Sequence, residues 1–168
     1  MFYALSALLF VYPALVILGG VYDLTTMKIP NWISIALLAA FIPMALLMGL
    51  SWQDGAVSLG LGVGVLIVGI ALFAFNVVGG GDAKLLAAST VWVGLSGLLP
   101  FLLITALAGG ALSLLLLGLR KWAPLVPFIM PRWLENLMQP KGDIPYGVAI
   151  AVGAVLAFPH SQMLLKLS

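Results

Sequence analysis

The acidic side chains of this chain are Asp23, Asp54, Asp82, Glu135 and Asp143, and there is no cysteine. Thiol nucleophiles, disulfides, Cys-type zinc sites and Cys-ligated clusters are therefore excluded. A pair of carboxylates remains the most capable chemical unit available. Two carboxyl groups in contact cannot both ionise easily, so they share a proton. The charged member can then take a proton from water while the protonated member donates to a peptide carbonyl or leaving nitrogen. Such a pair hydrolyses peptides without metal or covalent intermediate. Asp23, at the end of the first charge-free run, and Asp82, directly after Gly79-Gly80-Gly81, could form such a pair if packing brings the ends of their different helices together. The glycines let the backbone reach conformations closed to other residues and let a substrate strand pass closely.

What must position these acids is a membrane fold. Of 168 residues, 64% are hydrophobic and only 7% charged, with a mean hydropathy of +1.25, too little polar surface for a water-soluble globule. Crossing the hydrocarbon core takes ~20 mainly apolar residues. Charge-free runs of that order occupy 1–22, 29–53, 55–81, 85–119 and 144–165. The fourth is too long for one crossing and carries Ser96-Gly97 and Pro100 near its middle, where a split is expected. The expectation is an all-α polytopic membrane protein with six transmembrane helices.

Positive charge supports the split. Six spans place Lys28, Lys84, Arg120, Lys121, Arg132 and Lys141 on one face and only Lys166 on the other, whereas five spans leave no coherent orientation. The N-terminus is then outside, and the loops 23–30, 79–84 and 120–142 are at the cytoplasmic face. Residues 1–22 lack a basic flank and a small-residue cleavage site, so they read as a retained span. The whole of 1–168 reads as a single integral membrane domain, within which 120–142 is a cytoplasmic interfacial loop. That loop holds Pro124, Pro127, Pro131 and Pro140, with Trp122 and Trp133 suited to an aromatic belt.

Topology sorts the acids. Asp54 falls on the face opposite Asp23, Asp82 and Asp143 and reads as a solvated loop acid. Asp143 competes to partner Asp82, although its place ahead of Ile144-Pro145 equally suits a first helical turn. Lys84, two positions from Asp82, does not share its helix face and reads as snorkelling to headgroups or steadying the helix end. His160 is a lone histidine, so a metal site is not expected, and the small formal charge of +2 gives no nucleic-acid surface. An acid at a helix end also commonly marks nothing more than a membrane boundary.

The residues resemble the type IV prepilin peptidases, the GxGD aspartyl peptidases, on three ordered elements. Asp23 to Asn31 (DLTTMKIPN) is similar to the first signature, in which an aspartate precedes Ile-Pro-Asn at the next helix start. Gly79-Gly80-Gly81-Asp82-Ala83-Lys84 resembles the second, with Gly79 and Gly81 at the motif glycines and Gly80 at the variable position. Ile144 to Ile150 (IPYGVAI) resembles the final-helix segment of the short CpaA/TadV-type branch serving Flp/Tad pili.

The resemblance implies that Asp23 and Asp82 are the catalytic aspartates. Pro30 and Asn31 would shape the turn, and Lys84 would support the second motif. Lys28, Asp143, Pro145, Tyr146 and Gly147 would have substrate-facing or structural parts. It further implies a bacterial inner-membrane endopeptidase, needing no cofactor, that removes the leader from a prepilin or pseudopilin at the cytoplasmic boundary. The larger relatives carry paired cysteines and an N-methyltransferase activity; without cysteines, methylation is not expected here. Alternatives are an archaeal preflagellin-type or other GxGD peptidase, a proton or cation transporter using the same acids, and a noncatalytic scaffold.

Overall fold

The computed structural model describes residues 10–122, 131–140 and 142–165. Every regular element among them is helical: α1 (Val11–Thr26), α2 (Asn31–Leu47), α3 (Trp52–Ala74), α4 (Gly80–Trp122), α5 (Arg132–Leu137), α6 (Tyr146–Ala157) and α7 (Gln162–Leu165). A 3-10 turn over Phe158–His160 joins the last two. Three stretches, Trp52–Ala74, Gly80–Trp122 and Tyr146–Leu165, are long and apolar enough to cross a membrane, and α1 and α2 are shorter apolar helices. Large side chains such as Leu46, Leu107 and Leu114 point outward, an arrangement that suits lipid rather than water.

Local signals set the helix ends. Met27 closes α1 in the left-handed region (φ 53°) and donates its N–H to the Asp23 carbonyl at 2.8 Å, which turns the chain sharply. Asp23 thus lies in the last turn of α1 rather than beyond it. Pro30 (φ −62°, ψ 136°) holds the extended conformation from which α2 starts. Ser51 caps α3 by accepting from the Asp54 N–H at 3.1 Å.

The long run breaks at Gly94 (φ 64°, ψ −165°), a little earlier than the expected Ser96-to-Pro100 region. That conformation is closed to side-chain-bearing residues, whereas Pro100 lies within helix. Close approaches give the register on either side of the break. Before it, Gly69 meets Ala83 and Gly62 meets Val91, so α3 and the first part of α4 are antiparallel. After it, Gly97 lies by Ala157 and His160, Gly153 by Thr105 and Gly109 by Tyr146, so the second part runs antiparallel to α6. α1 is likewise antiparallel to α6, through Tyr12 with Phe158 and Gly20 with Gly147 and Ala151.

The core gathers on Trp92, whose indole N–H donates to the Leu37 carbonyl at 2.9 Å. Its ring stacks on Tyr12 at 5.1 Å and meets Phe41 edge-on at 5.9 Å. This aromatic group clamps α1, α2 and α4 together. The consequence is that the end of α1, the start of α2 and the start of α4 occupy one end of the bundle.

Candidate functional site

Asp23 is buried, and its Oδ2 accepts the Gly147 backbone N–H at 2.7 Å. Gly147 is the second residue of α6, so this is an acid held at a helix N-terminus, where unpaired N–H groups and the helix dipole favour negative charge. Pro145 precedes Tyr146 as the buried cap residue of α6, and the Tyr146 ring packs against Gly109. The IPYG segment therefore shapes the turn that presents an N–H to Asp23.

Asp82 is the third residue of α4 and half-buried. Its Oδ2 folds back against Gly79, where an added Cβ would come within 2.7 Å of that oxygen. An acid at this helical position reaching back to the residue before the helix is half of a capping box, which fixes one carboxylate oxygen. The other, Oδ1, is buried and has no hydrogen-bond partner among the described residues.

Ile29 is the spacer between the acids. It lies under Gly81, whose added Cβ would stand 3.1 Å from the Ile29 Cβ, and under Gly147, whose added Cβ would stand 2.9 Å from Ile29 Cδ1. One buried side chain thus touches the backbone that holds each acid. The two acids of the first two motifs are brought together at one end of the bundle. Asp54 is not: it lies in the first turn of α3, about 30 Å along the helix from the Ala74 end.

Lys84 makes a specific contact rather than only reaching outward: its Nζ donates to Asn31 Oδ1 at 2.9 Å. This bond ties the first motif to the second, on the side of α4 away from Asp82. Pro30 starts α2, and Lys28 is exposed, its carbonyl accepting from the Thr26 hydroxyl at 3.1 Å. Asp143 does not partner Asp82. It lines a separate polar pocket of about 320 Å³ with Thr25, Thr26, Asn136 and Gln139. Glu135 is exposed on α5.

Sequence reasoning missed Arg120, which it counted only as a loop base. Arg120 is buried, and its Nε donates to the Leu137 carbonyl at 2.9 Å. Nη1 and Nη2 reach the carbonyls of Gly142 and Asp143, each at 2.8 Å. A planar guanidinium suits this fan of acceptors, which a lysine ammonium on a flexible stem would not match. It pins the chain just ahead of Pro145 and hence the N–H that holds Asp23. The only sequence signal was an arginine followed by a Pro-rich loop. Of the 120–142 loop, residues 123–130 and Lys141 lie outside the described residues, as does Lys166.

A sequence model of the type IV leader peptidase family matches residues 10–114, a stretch that contains both acids, both glycine positions, Asn31 and Lys84. No curated protein and no solved structure matches the chain significantly.

Proposed function

Since the chain belongs to the type IV leader peptidase family, we propose that it is a membrane aspartyl endopeptidase with Asp23 and Asp82 as its catalytic pair. The observation that carries this reading is that Ile29 packs against the backbone holding each acid at one bundle end, with Asp82 Oδ1 buried and unpartnered among the described residues. The Gly147 N–H holds one oxygen of Asp23, and one oxygen of Asp82 lies against the Gly79 turn, which orients the carboxyl planes. The pair carries one proton. Its ionised member deprotonates water, and its protonated member donates to the scissile carbonyl and then to the leaving nitrogen. Which acid does which is a property of the pair rather than of either residue.

The substrate is a prepilin or pseudopilin of the Flp type, cut at the cytoplasmic boundary of a bacterial inner membrane. The antiparallel return of the chain at Gly94 supports six crossings, and the positions of Lys28, Lys84, Arg120 and Lys121 at the acid-bearing end support its cytoplasmic orientation. Acids at helix ends favour hydrolysis with access to water over an ion path, which would need acids near the midplane.

The test is coexpression with an epitope-tagged prepilin, followed by mass spectrometry of the product. Asp23→Asn and Asp82→Asn should each leave the leader attached while inserting at normal levels, and Asp54→Asn should process normally. Full cleavage by both catalytic-pair variants would reject the assignment.

A further inference from the structure

α2 and α3 are joined by a short connection over 48–51, yet they diverge from one another, each packing instead on α4. Between them lies an apolar groove of about 810 Å³. Its floor is small, made of Gly80, Ala83, Ala87 and Ala88 on α4, and its walls are aliphatic, with Ile35 and Leu38 on one side and Val63, Leu66 and Ile70 on the other. Small residues along a floor let a helix backbone approach closely in lipid. One end of the groove is polar and carries Asn31, Ser34 and Lys84.

Ser34 lines this end but is 7% exposed, and its Oγ is covered by the bundle. What the mouth offers an occupant is Asn31 and Lys84: beyond the bond between them, the amide and the ammonium carry further N–H donors. An acyl chain filling the groove has nothing for these donors. A peptide offers backbone C=O groups, most available where a helix has opened. The polar mouth also adjoins the acids: Gly80 lines the groove and begins the turn from which Asp82 projects, and the Lys84 to Asn31 bond is at once the rim and the link between motifs.

Resting on the reading of this chain as a leader peptidase, we propose that the groove between α2 and α3 receives the apolar helix of the substrate on the product side of the scissile bond. The Asn31 amide at the mouth then donates to carbonyls of the opened backbone at the head of that helix. A second apolar groove, of about 400 Å³ between α1 and α6, lacks a comparable polar mouth and is not the docking site; Val148, Val152 and Leu156 line it.

The experiment places a photo-crosslinking amino acid at Ile35, Ile70, Val152 or Leu156 in the full-length Asp82→Asn protein, coexpressed in membranes with tagged prepilin. All four positions are exposed, so folding is little disturbed. Adducts to prepilin from Ile35 and Ile70, with none from Val152 or Leu156, are expected. In the active protein, Val63→Trp should raise KM for full-length prepilin at least tenfold, while Val152→Trp stays within twofold. Prepilin adducts only from Val152 and Leu156, or adducts from Ile35 and Ile70 only to lipid or to a second copy of this chain, would overturn the docking site. Normal cleavage by Asp82→Asn would instead overturn the catalytic assignment, which the crosslinking pattern does not depend on.

Discussion

Replacing Gly147 with alanine tests how finely Asp23 must be placed. The added methyl would stand 2.8 Å from Asp23 Cβ, 2.9 Å from Oδ2 and 2.9 Å from Ile29 Cδ1. Ordinary carbon contacts are about 3.5 to 4.0 Å, so the overlap is of order 1 Å. None of the neighbours gives way easily. Asp23 sits in the last turn of α1, whose end Met27 caps, and Ile29 is pressed against Gly81 on its other side. Either α6 withdraws or the α1 end does, and the 2.7 Å bond from the Gly147 N–H to Oδ2 lengthens. Overpacking of this kind costs about 1 to 3 kcal/mol of stability. A displacement near 1 Å at a reacting group costs on the order of 10²-fold in rate. The assay is the rate of leader removal from purified prepilin in detergent, normalised to folded protein by its thermal transition. A rate within threefold of the unmodified protein would show that Gly147 does not set the position of Asp23.

Arg120→Lys should lower processing by about tenfold, because an ammonium cannot span the three carbonyls at Leu137, Gly142 and Asp143 that the guanidinium joins, and thermal unfolding measured beside the rate checks it. Gly94→Ala should destabilise the protein by roughly 1 to 3 kcal/mol, since its φ of 64° with ψ of −165° is closed to alanine; detergent-phase melting reads this directly. Lys84→Met, which removes the bond to Asn31, should reduce the rate severalfold without preventing insertion, and Asn31→Ala should have the same effect without further loss in the double variant. A pair sharing one proton should give a bell-shaped pH-rate profile, falling at low pH when both acids are protonated and at high pH when both are ionised; a profile flat from pH 4 to 9 would speak against the pair.

Much of this arrangement was legible because lipid simplifies the code. Runs without charge mark helices, and the few acids stand out against them, so Asp23 and Asp82 could be named before their neighbours were known. The break in the fourth run was legible in kind but not in place: Pro100 and Ser96-Gly97 drew attention, while what marks Gly94 is a backbone torsion that no sequence pattern records. Lys84 was legible only in part, for a related reason. Helical spacing correctly kept it off the Asp82 face, but its partner, Asn31, is a tertiary neighbour fixed by how α2 packs on α4. Ile29 read as an apolar residue before a proline, and only the folded bundle shows it between Gly81 and Gly147.

The part of the site hardest to read lies beyond the residues the family model matches. Residues 10–114 carry both acids, yet the N–H that orients Asp23 belongs to Gly147, and the guanidinium that fixes the chain ahead of it belongs to Arg120. An acid at the end of α1 has no reason of its own to face α4, since backbone torsion after Met27 leads the chain away from it. What turns its carboxyl inward is a donor supplied from α6, and what holds α6 in register is a buried cation satisfied wholly by backbone carbonyls. Asp82 needs no such help, because the turn at Gly79 holds it from within its own motif. One acid is thus positioned locally and the other by the far end of the chain, so changes in 115–147 should act on catalysis through Asp23 while leaving the Asp82 turn intact.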